Sequence, residues 1–545
     1  MGAVGLVAFA PNLAGCGDDN GGVTEPPGGT VPDPGELPDP PSGEIVIRPY
    51  SAFMHGVASG DPLTDAVVIW TRVSPREEYD NGGTFAGPTD AGPIEVEWEM
   101  STNADFTEIV AGDIFVTDAD RDYTVKVDVT GLDAGRVYYY RFSALDEVSP
   151  TGRTTTAPSG NVDNLRFAVA SCTSGAHGYF NAYRVMVDRN DIDAVLFLGD
   201  YIYEYGDGEY GSARKYDPPH EIVTLEDYRR RHAWYKYDED LQRVHQQYPF
   251  ICVWDDHEIA DNSWSGGAKN HDEGEGDFFE RRDGSHRAYS EWMPIRDQED
   301  LSKIFRSFRY GNLVDLIMLD TRTWGRDEQG GAQSDDRTLL GADQEAWLHE
   351  QLEQSTAKWK VLGQQVMVAP LSMSKGSPPA LNNDQWDGYT HARTRLYDEI
   401  EASGNVVVLT GDIHTAWAND LARDPFDSTR YNPATGEGSI GVEFVCTSIT
   451  SPGLEALASL PKIVDVIKEN SPHMKHVDVV KKGFTVLDIT PSRVQADFIT
   501  IDQIRVPIDP VVEIAASMVV NDGAPFLVHV TTELPARAGR PPLVP

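Results

Sequence analysis

The sequence predicts a mixed α/β domain preceded by a smaller β-sandwich. From Leu165 onward, short apolar runs alternate with segments of helical spacing. Between about Glu44 and Pro158 the pattern is instead period-two alternation broken by polar turns. The third observation is chemical. Four apolar runs of the second region are each followed at once by residues that can hold a metal: Ser171-Cys172, Gly199-Asp200-Tyr201-Ile202-Tyr203, Asp255-Asp256-His257-Glu258 and Gly411-Asp412-Ile413-His414.

In chain order, residues 1–16 form an apolar stretch ending in Leu13-Ala14-Gly15-Cys16, the form of a bacterial lipobox with Cys16 as the lipidated residue. The run is too short to span a bilayer and reads as a lipoprotein-type signal segment. Residues 17–44 are Gly, Pro and Asp in short blocks, too poor in apolar side chains to bury a core, and read as a disordered tether. Membrane contact is then expected only through the lipid, at the cell surface or in the periplasm. Residues 45–158 form the sandwich, with strands expected at Ala66–Thr71, Ile94–Trp98, Tyr123–Val127, Tyr138–Phe142 and Thr154–Thr156. Their aromatic residues read as core and receive no catalytic role.

Residues 165–510 are expected to form the α/β domain. Its strands fall at Arg166–Ala170, Ala194–Leu198, Phe250–Trp254, Val314–Leu319, Val361–Val366, Val406–Leu409 and Val442–Cys446. Helices are expected at Thr224–His245, Ala342–Gln354 and Arg393–Ala402, and Phe180, Tyr183 and Met186 carry helical spacing between the first two strands. The result is a β-α-β unit, and ligands bind such units at the carboxyl ends of the strands. Phe484–Ile489 and Val494–Ile499 read as a hairpin, and residues 511–545 as a C-terminal extension.

A chain of 545 residues is too long for one core, and its 40% hydrophobic content is that of a globular protein. The 87 acidic residues outnumber 45 basic ones, for a formal charge of −42, which argues against nucleic-acid binding as the main task. Four cysteines without a CxxC pair are too few for a disulfide scaffold.

Asp200 follows Gly199, so backbone can approach a ligand closely there. A carboxylate so placed can bridge two metals about 3.5–4 Å apart, the usual device for phosphoester cleavage. If Asp412 to His414 is extended, both side chains point the same way. Asp256, His257 and Asn262 add oxygen and nitrogen donors. A thiolate from Cys172 and a phenolate from Tyr203 favour a high-valent transition metal such as Fe³⁺, while the carboxylate and amide side suits Ca²⁺. Taken alone, Cys172 reads as a buried structural thiol and Tyr203 as a core phenol. Their common position at strand ends of one domain is what favours metal binding. No GxSxG elbow is present, so a metal-bound hydroxide is the expected nucleophile. His257 or His414 would then hold the phosphate or protonate the leaving oxygen.

The fragments SCTSG, GDYIYEY, WDDHE and GDIH together resemble the PhoD-type alkaline phosphatases of the calcineurin-like metallophosphoesterase fold. FMHGVASGDPLTDAVVIWTRV, Leu319-Asp320-Thr321-Arg322, WDGY and Thr447–Pro452 agree, in the family's order, from about residue 50 to about residue 500. The resemblance implies a four-layer αββα metallophosphoesterase domain preceded by a fibronectin-III/Ig-like β-sandwich. By position it matches Cys172, Asp200 and Tyr203 to the family's iron-binding cysteine, bridging aspartate and tyrosine. Asp412 and His414 match its GDxH ligands, and Asn262 its asparagine ligand, with Asp256 as the competing one. Arg214 is the nearest match to an arginine near the substrate phosphate, and Trp292 stands where some relatives have histidine. The implied activity is that of a secreted alkaline phosphatase releasing inorganic phosphate from small phosphoesters, with Fe³⁺ and Ca²⁺ as cofactors. Beside it stand a phosphodiesterase or phospholipase D-like enzyme of the same fold, and a cell-surface binding module with a degenerate site.

Overall fold

The computed structural model describes residues 48–77, 91–331, 333–374, 382–458 and 462–545. The lipobox and the tether lie outside these residues. Among the described residues no helix is long and apolar enough to cross a membrane.

Three sheets organise the described residues. The largest has ten strands in the spatial order Ala524–Val530, Val512–Asn521, Arg493–Ile501, Lys482–Thr490, Leu165–Ala170, Ala194–Phe197, Pro249–Cys252, Val57–Gly60, Ala66–Arg72 and Thr124–Thr130. Leu165–Ala170, Ala194–Phe197, Pro249–Cys252 and Val57–Gly60 run parallel, so their carboxyl ends share one edge. A second sheet has seven strands, ordered Arg306–Tyr310, Val314–Met318, Trp359–Gln364, Val406–Thr410, Ser439–Val445, Ala416–Ala422 and Met474–Asp478. Its strands from Val314–Met318 to Ser439–Val445 are also parallel. Leu165–Ala170, Ala194–Phe197 and Val406–Thr410 are fully buried and read as predominantly apolar runs, as parallel strands covered on both faces must.

One apolar cluster draws Val169, Leu196 and Phe197 of the first sheet together with Leu316, Val361, Leu409 and Phe444 of the second. It also takes Tyr183 and Met186 from the helix Asn181–Arg189 and Tyr228 and Tyr235 from the helix Leu225–Lys236. A second cluster joins Leu362 and Val408 to Leu348, Leu352, Leu396 and Ile400 of the helices Gly341–Gln354 and Thr390–Ser403. Each expected helix and strand named above has a counterpart, with one structural change. The stretch Thr224–His245 is two helices, Leu225–Lys236 and Glu239–Gln247, because the Asp238 side chain caps the second by accepting from the N–H groups of Asp240 and Leu241.

The third sheet has five strands, Ile109–Thr117, Ile94–Ser101, Val137–Ala144, Glu147–Val148 and Gly152–Thr155. It packs Val96, Met100, Tyr140 and Phe142 against Val67, Ile69 and Val125, which belong to the end of the ten-stranded sheet. The N-terminal region therefore shares a sheet with the following domain, through the pairing of Ser59 with Pro249. The C-terminal residues join it too, since Val512–Asn521 and Ala524–Val530 extend the same sheet at its other edge.

Lys236 ends its helix in the core, with Nζ 4.6 Å from the centre of the Trp70 ring and 3.3 Å from the Tyr201 hydroxyl. Burial pushes its ammonium down to about 7. The unfolded chain therefore holds one more proton than the folded one between this value and the ordinary lysine value, and this group makes the fold more stable as pH rises through that window. Lys236→Met is expected to be more stable than wild type at neutral pH, with the difference shrinking toward pH ~10. Thermal melts of both proteins across that range check it; a constant difference contradicts it.

Candidate metal centre

The carboxyl ends of the parallel strands of both large sheets meet at one place. Ser171, just past Leu165–Ala170, forms a parallel bridge with Ser448, just past Ser439–Val445. Two glycines permit the approach. A Cβ on Gly411 would lie 2.9 Å from Cβ of Ser171. One on Gly199, which has φ +107°, would lie 2.4 Å from Cβ of Asp255. Both glycines precede an aspartate of the site, which is why the Gly-Asp pair recurs at these strand ends.

Five of the seven expected metal ligands lie in the left-handed backbone region: Cys172 (φ 60°), Asp200 (φ 58°), Asn262 (φ 54°), Asp412 (φ 59°) and His414 (φ 61°). A residue with a Cβ pays roughly 1–2 kcal/mol for that conformation, and such residues concentrate where function requires them. This corrects the expectation of an extended Asp412–His414 segment. The segment is a bend, and its two positive φ values bring both side chains to the site.

The donors fall into three overlapping groups whose ligand atoms lie within 4.8 Å of one another: Cys172 with Asp200 and His414, Asp200 with Asp256 and His257, and Asp255 with Asp256 and Asp412. Asp200 belongs to the first two and Asp256 to the last two. Asp200 is fully buried, and its Oδ1 has no hydrogen-bond partner among the described residues. A buried carboxylate oxygen left in this way is costly unless a cation meets it. Burial and the surrounding carboxylates hold Asp200 well above the usual carboxylate range, despite His257. The donor set thus fits a pair of cations sharing Asp200.

Tyr203 donates its hydroxyl proton to Oδ2 of Asp200 at 3.0 Å and accepts from the Ser451 hydroxyl at 2.6 Å. Nδ1 of His414 donates to the Pro452 carbonyl at 2.8 Å, which fixes the tautomer. Nε2 therefore carries the lone pair, 3.8 Å from Oδ2 of Asp200. On the other side Nδ1 of His257 lies 2.6 Å from the Glu204 carboxylate. Burial raises the Glu204 carboxyl, but His257 and its hydrogen bonds outweigh this and hold it below its ordinary value. Asn262 lies beside Asp256 and donates its backbone N–H to Oδ2 at 2.6 Å.

Two groups that the sequence did not single out as site residues shape the centre. The Glu258 carboxylate accepts from the backbone N–H groups of Asp200, Tyr201 and Asp255, tying two strand ends together. The Arg322 guanidinium is fully buried and meets four carboxylates. It bonds Asp255 through Nε and Asp412 through Nη2, donates from Nη1 to both oxygens of Asp384 at 2.9 and 2.8 Å, and lies 3.7 Å from Asp256. Burial pushes Asp412 up to about 7 even beside Arg322. Asp256 lies below its ordinary value, because Arg322 and His257 outweigh its burial. The signals available were Asp320-Thr321-Arg322 directly after an apolar run and the last residue of WDDHE.

Arg214 stands apart. It pairs with Asp238 at 2.9 Å and stacks on Trp234, 4.6 Å from the ring centre, and none of its described contacts is with the donor groups. Trp292 is also elsewhere, fully buried and donating to Asp122 at 3.1 Å.

Residues 47–158 match the family model described as PhoD-like phosphatase, N-terminal domain, and residues 167–498 match that of PhoD-like phosphatase. The chain is 39% identical over 472 residues to alkaline phosphatase D of Bacillus subtilis (strain 168), covering 82% of this chain and 77% of that protein. A solved structure of PhoD superposes with a TM-score of 0.79 at 35% identity, over 89% of this chain and 94% of that one. A purple acid phosphatase from yellow lupin seeds matches with a TM-score of 0.52 over 81% of this chain and 71% of that one, and at 13% identity it shares the fold alone. With both family models matched in order across most of its length, and the donor groups at its strand ends, the chain belongs to the PhoD-like phosphatase family and is a phosphoesterase.

Proposed function

We propose that this protein is an extracytoplasmic alkaline phosphatase that hydrolyses small phosphomonoesters at a two-cation centre. The observation that carries the reading is Asp200, a buried carboxylate common to two donor groups. Cys172, Tyr203 and His414 would hold Fe³⁺, and Asp256, Asn262 and Asp412 Ca²⁺, with Asp200 between them. When bound, such a pair supplies Lewis acidity and a nucleophile from water at the phosphorus. The chain's part is to fix the donors. Glu258 holds the two strand ends in register, and Pro452 and Glu204 fix the rings of His414 and His257. With the Nδ1 proton of His257 committed to Glu204, the ring would act as an acid through Nε2 after taking up a second proton there, which the departing alkoxide would receive. Arg214, engaged by Asp238, receives no role in this scheme.

The packing of helices on the outer faces of the two large sheets supports a four-layer αββα arrangement for this domain. Export with a lipid on Cys16 belongs to the same proposal, on the Leu13–Cys16 motif. The test compares p-nitrophenyl phosphate with bis(p-nitrophenyl) phosphate at alkaline pH, with Ca²⁺ and then with a chelator. Chelator-sensitive turnover favouring the monoester is the expected result. A preference for the diester would make the protein a phosphodiesterase, and no turnover of either would return it to the binding-module reading.

A further inference from the structure

Lys482 opens the strand Lys482–Thr490 beside the centre. The carbonyl before it, that of Lys481, accepts from the Thr447 hydroxyl at 2.6 Å, and the N–H after it, that of Gly483, donates to the Ser448 carbonyl at 3.0 Å. The strand start is thereby stitched to the loop whose Pro452 orients His414. Lys482 is 8% exposed, and Nζ lies against Gly453, where an added Cβ would sit 3.1 Å from it. Among the described residues Nζ finds no hydrogen-bond partner. Its ion-pair partner is Glu455, 3.6 Å away, with a half-exposed side chain. Gly453 directly follows Pro452, whose carbonyl accepts from the His414 ring, so Nζ lies at the loop that orients this donor.

A buried ammonium held by one exposed carboxylate at long range is poorly compensated, and a second anion close by would complete it. The Arg322 guanidinium at the centre is already committed to four carboxylates. We propose that the Lys482 ammonium binds an anionic phosphoryl oxygen of the substrate, exchanging Glu455 for it, and so favours dianionic monoesters over monoanionic diesters. This inference rests on the phosphatase reading above.

The test uses the purified, metal-loaded enzyme with p-nitrophenyl phosphate, bis(p-nitrophenyl) phosphate and inorganic phosphate as inhibitor, with metal content measured alongside. In Lys482→Met, KM for the monoester and the inhibition constant of phosphate should each rise about tenfold, the worth of one charge-assisted hydrogen bond. Diester kinetics should move less, metal content should stay at the wild-type level, and Lys482→Arg should recover most of the loss. Glu455→Gln should tighten phosphate inhibition, a change in the opposite direction that a merely structural lysine would not produce. An unchanged phosphate inhibition constant in Lys482→Met, or equal losses on both esters, overturns the inference while wild-type turnover leaves the phosphatase reading standing. A wild-type enzyme that hydrolyses neither ester overturns both.

Discussion

Asp200→Asn is expected to lower phosphomonoester turnover by on the order of 10³-fold or more, the largest effect of any single change to the centre. The reason is its position. Asp200 is the carboxylate that the Cys172–His414 group and the Asp256–His257 group share, so its loss weakens both cation positions together. The same substitution should leave the metal-free fold as stable as wild type or more so. Burial among carboxylates holds Asp200 well above its ordinary range, and a neutral isostere removes that unfavourable charge. Steady-state kinetics and thermal melts on metal-free protein check the two halves. A variant that unfolds, or that turns over at near wild-type rates, contradicts the assignment.

Arg322→Ala is expected to act on stability as well as on activity. Its guanidinium meets Asp255, Asp256, Asp384 and Asp412, all buried. Removing one partner of a buried ionic network leaves uncompensated charge, at a cost of about 3–5 kcal/mol. Lysine should not rescue it, because one ammonium cannot take the place of three nitrogens that separately reach Asp255, Asp384 and Asp412. Chemical denaturation of wild type, Arg322→Ala and Arg322→Lys measures this directly. Stability unchanged in the alanine variant would mean that the four carboxylates do not depend on this arginine.

The strand ends were legible because the local signals agree. Apolar runs of four to six residues, followed by Ser-Cys, Gly-Asp or Asp-Asp-His, mark both a buried parallel strand and its functional terminus. Cys172, Asp200, Asp256, His257, Asp412 and His414 therefore stand out in the sequence as candidate donors. Arg322 and Glu258 do not, because their meaning lies in partners distant in sequence. Arg322 finds Asp255 67 residues earlier, and Glu258 reaches the Asp200 N–H 58 residues earlier. Arg214 is the converse case: it is close to GDYIYEY in sequence, whereas its described partners include Asp238 and the Trp234 ring and none of the donors. The bend at Asp412–His414 was hidden because left-handed conformations of non-glycine residues oppose local preference and persist only where the surrounding fold imposes them. Sheet membership was equally nonlocal. Ala66–Arg72 looks like any sandwich strand, and only its neighbour Val57–Gly60, paired with Pro249–Cys252, ties it to the ten-stranded sheet.

The measurement that tests the central claim most directly is the metal content per chain of three purified proteins prepared side by side: wild type, Asp200→Asn and Cys172→Ala. Wild type is expected to carry a transition metal together with Ca²⁺, Asp200→Asn to lose both, and Cys172→Ala to lose the transition metal while keeping Ca²⁺. An Asp200→Asn protein with the full wild-type complement would contradict a centre built around that shared carboxylate.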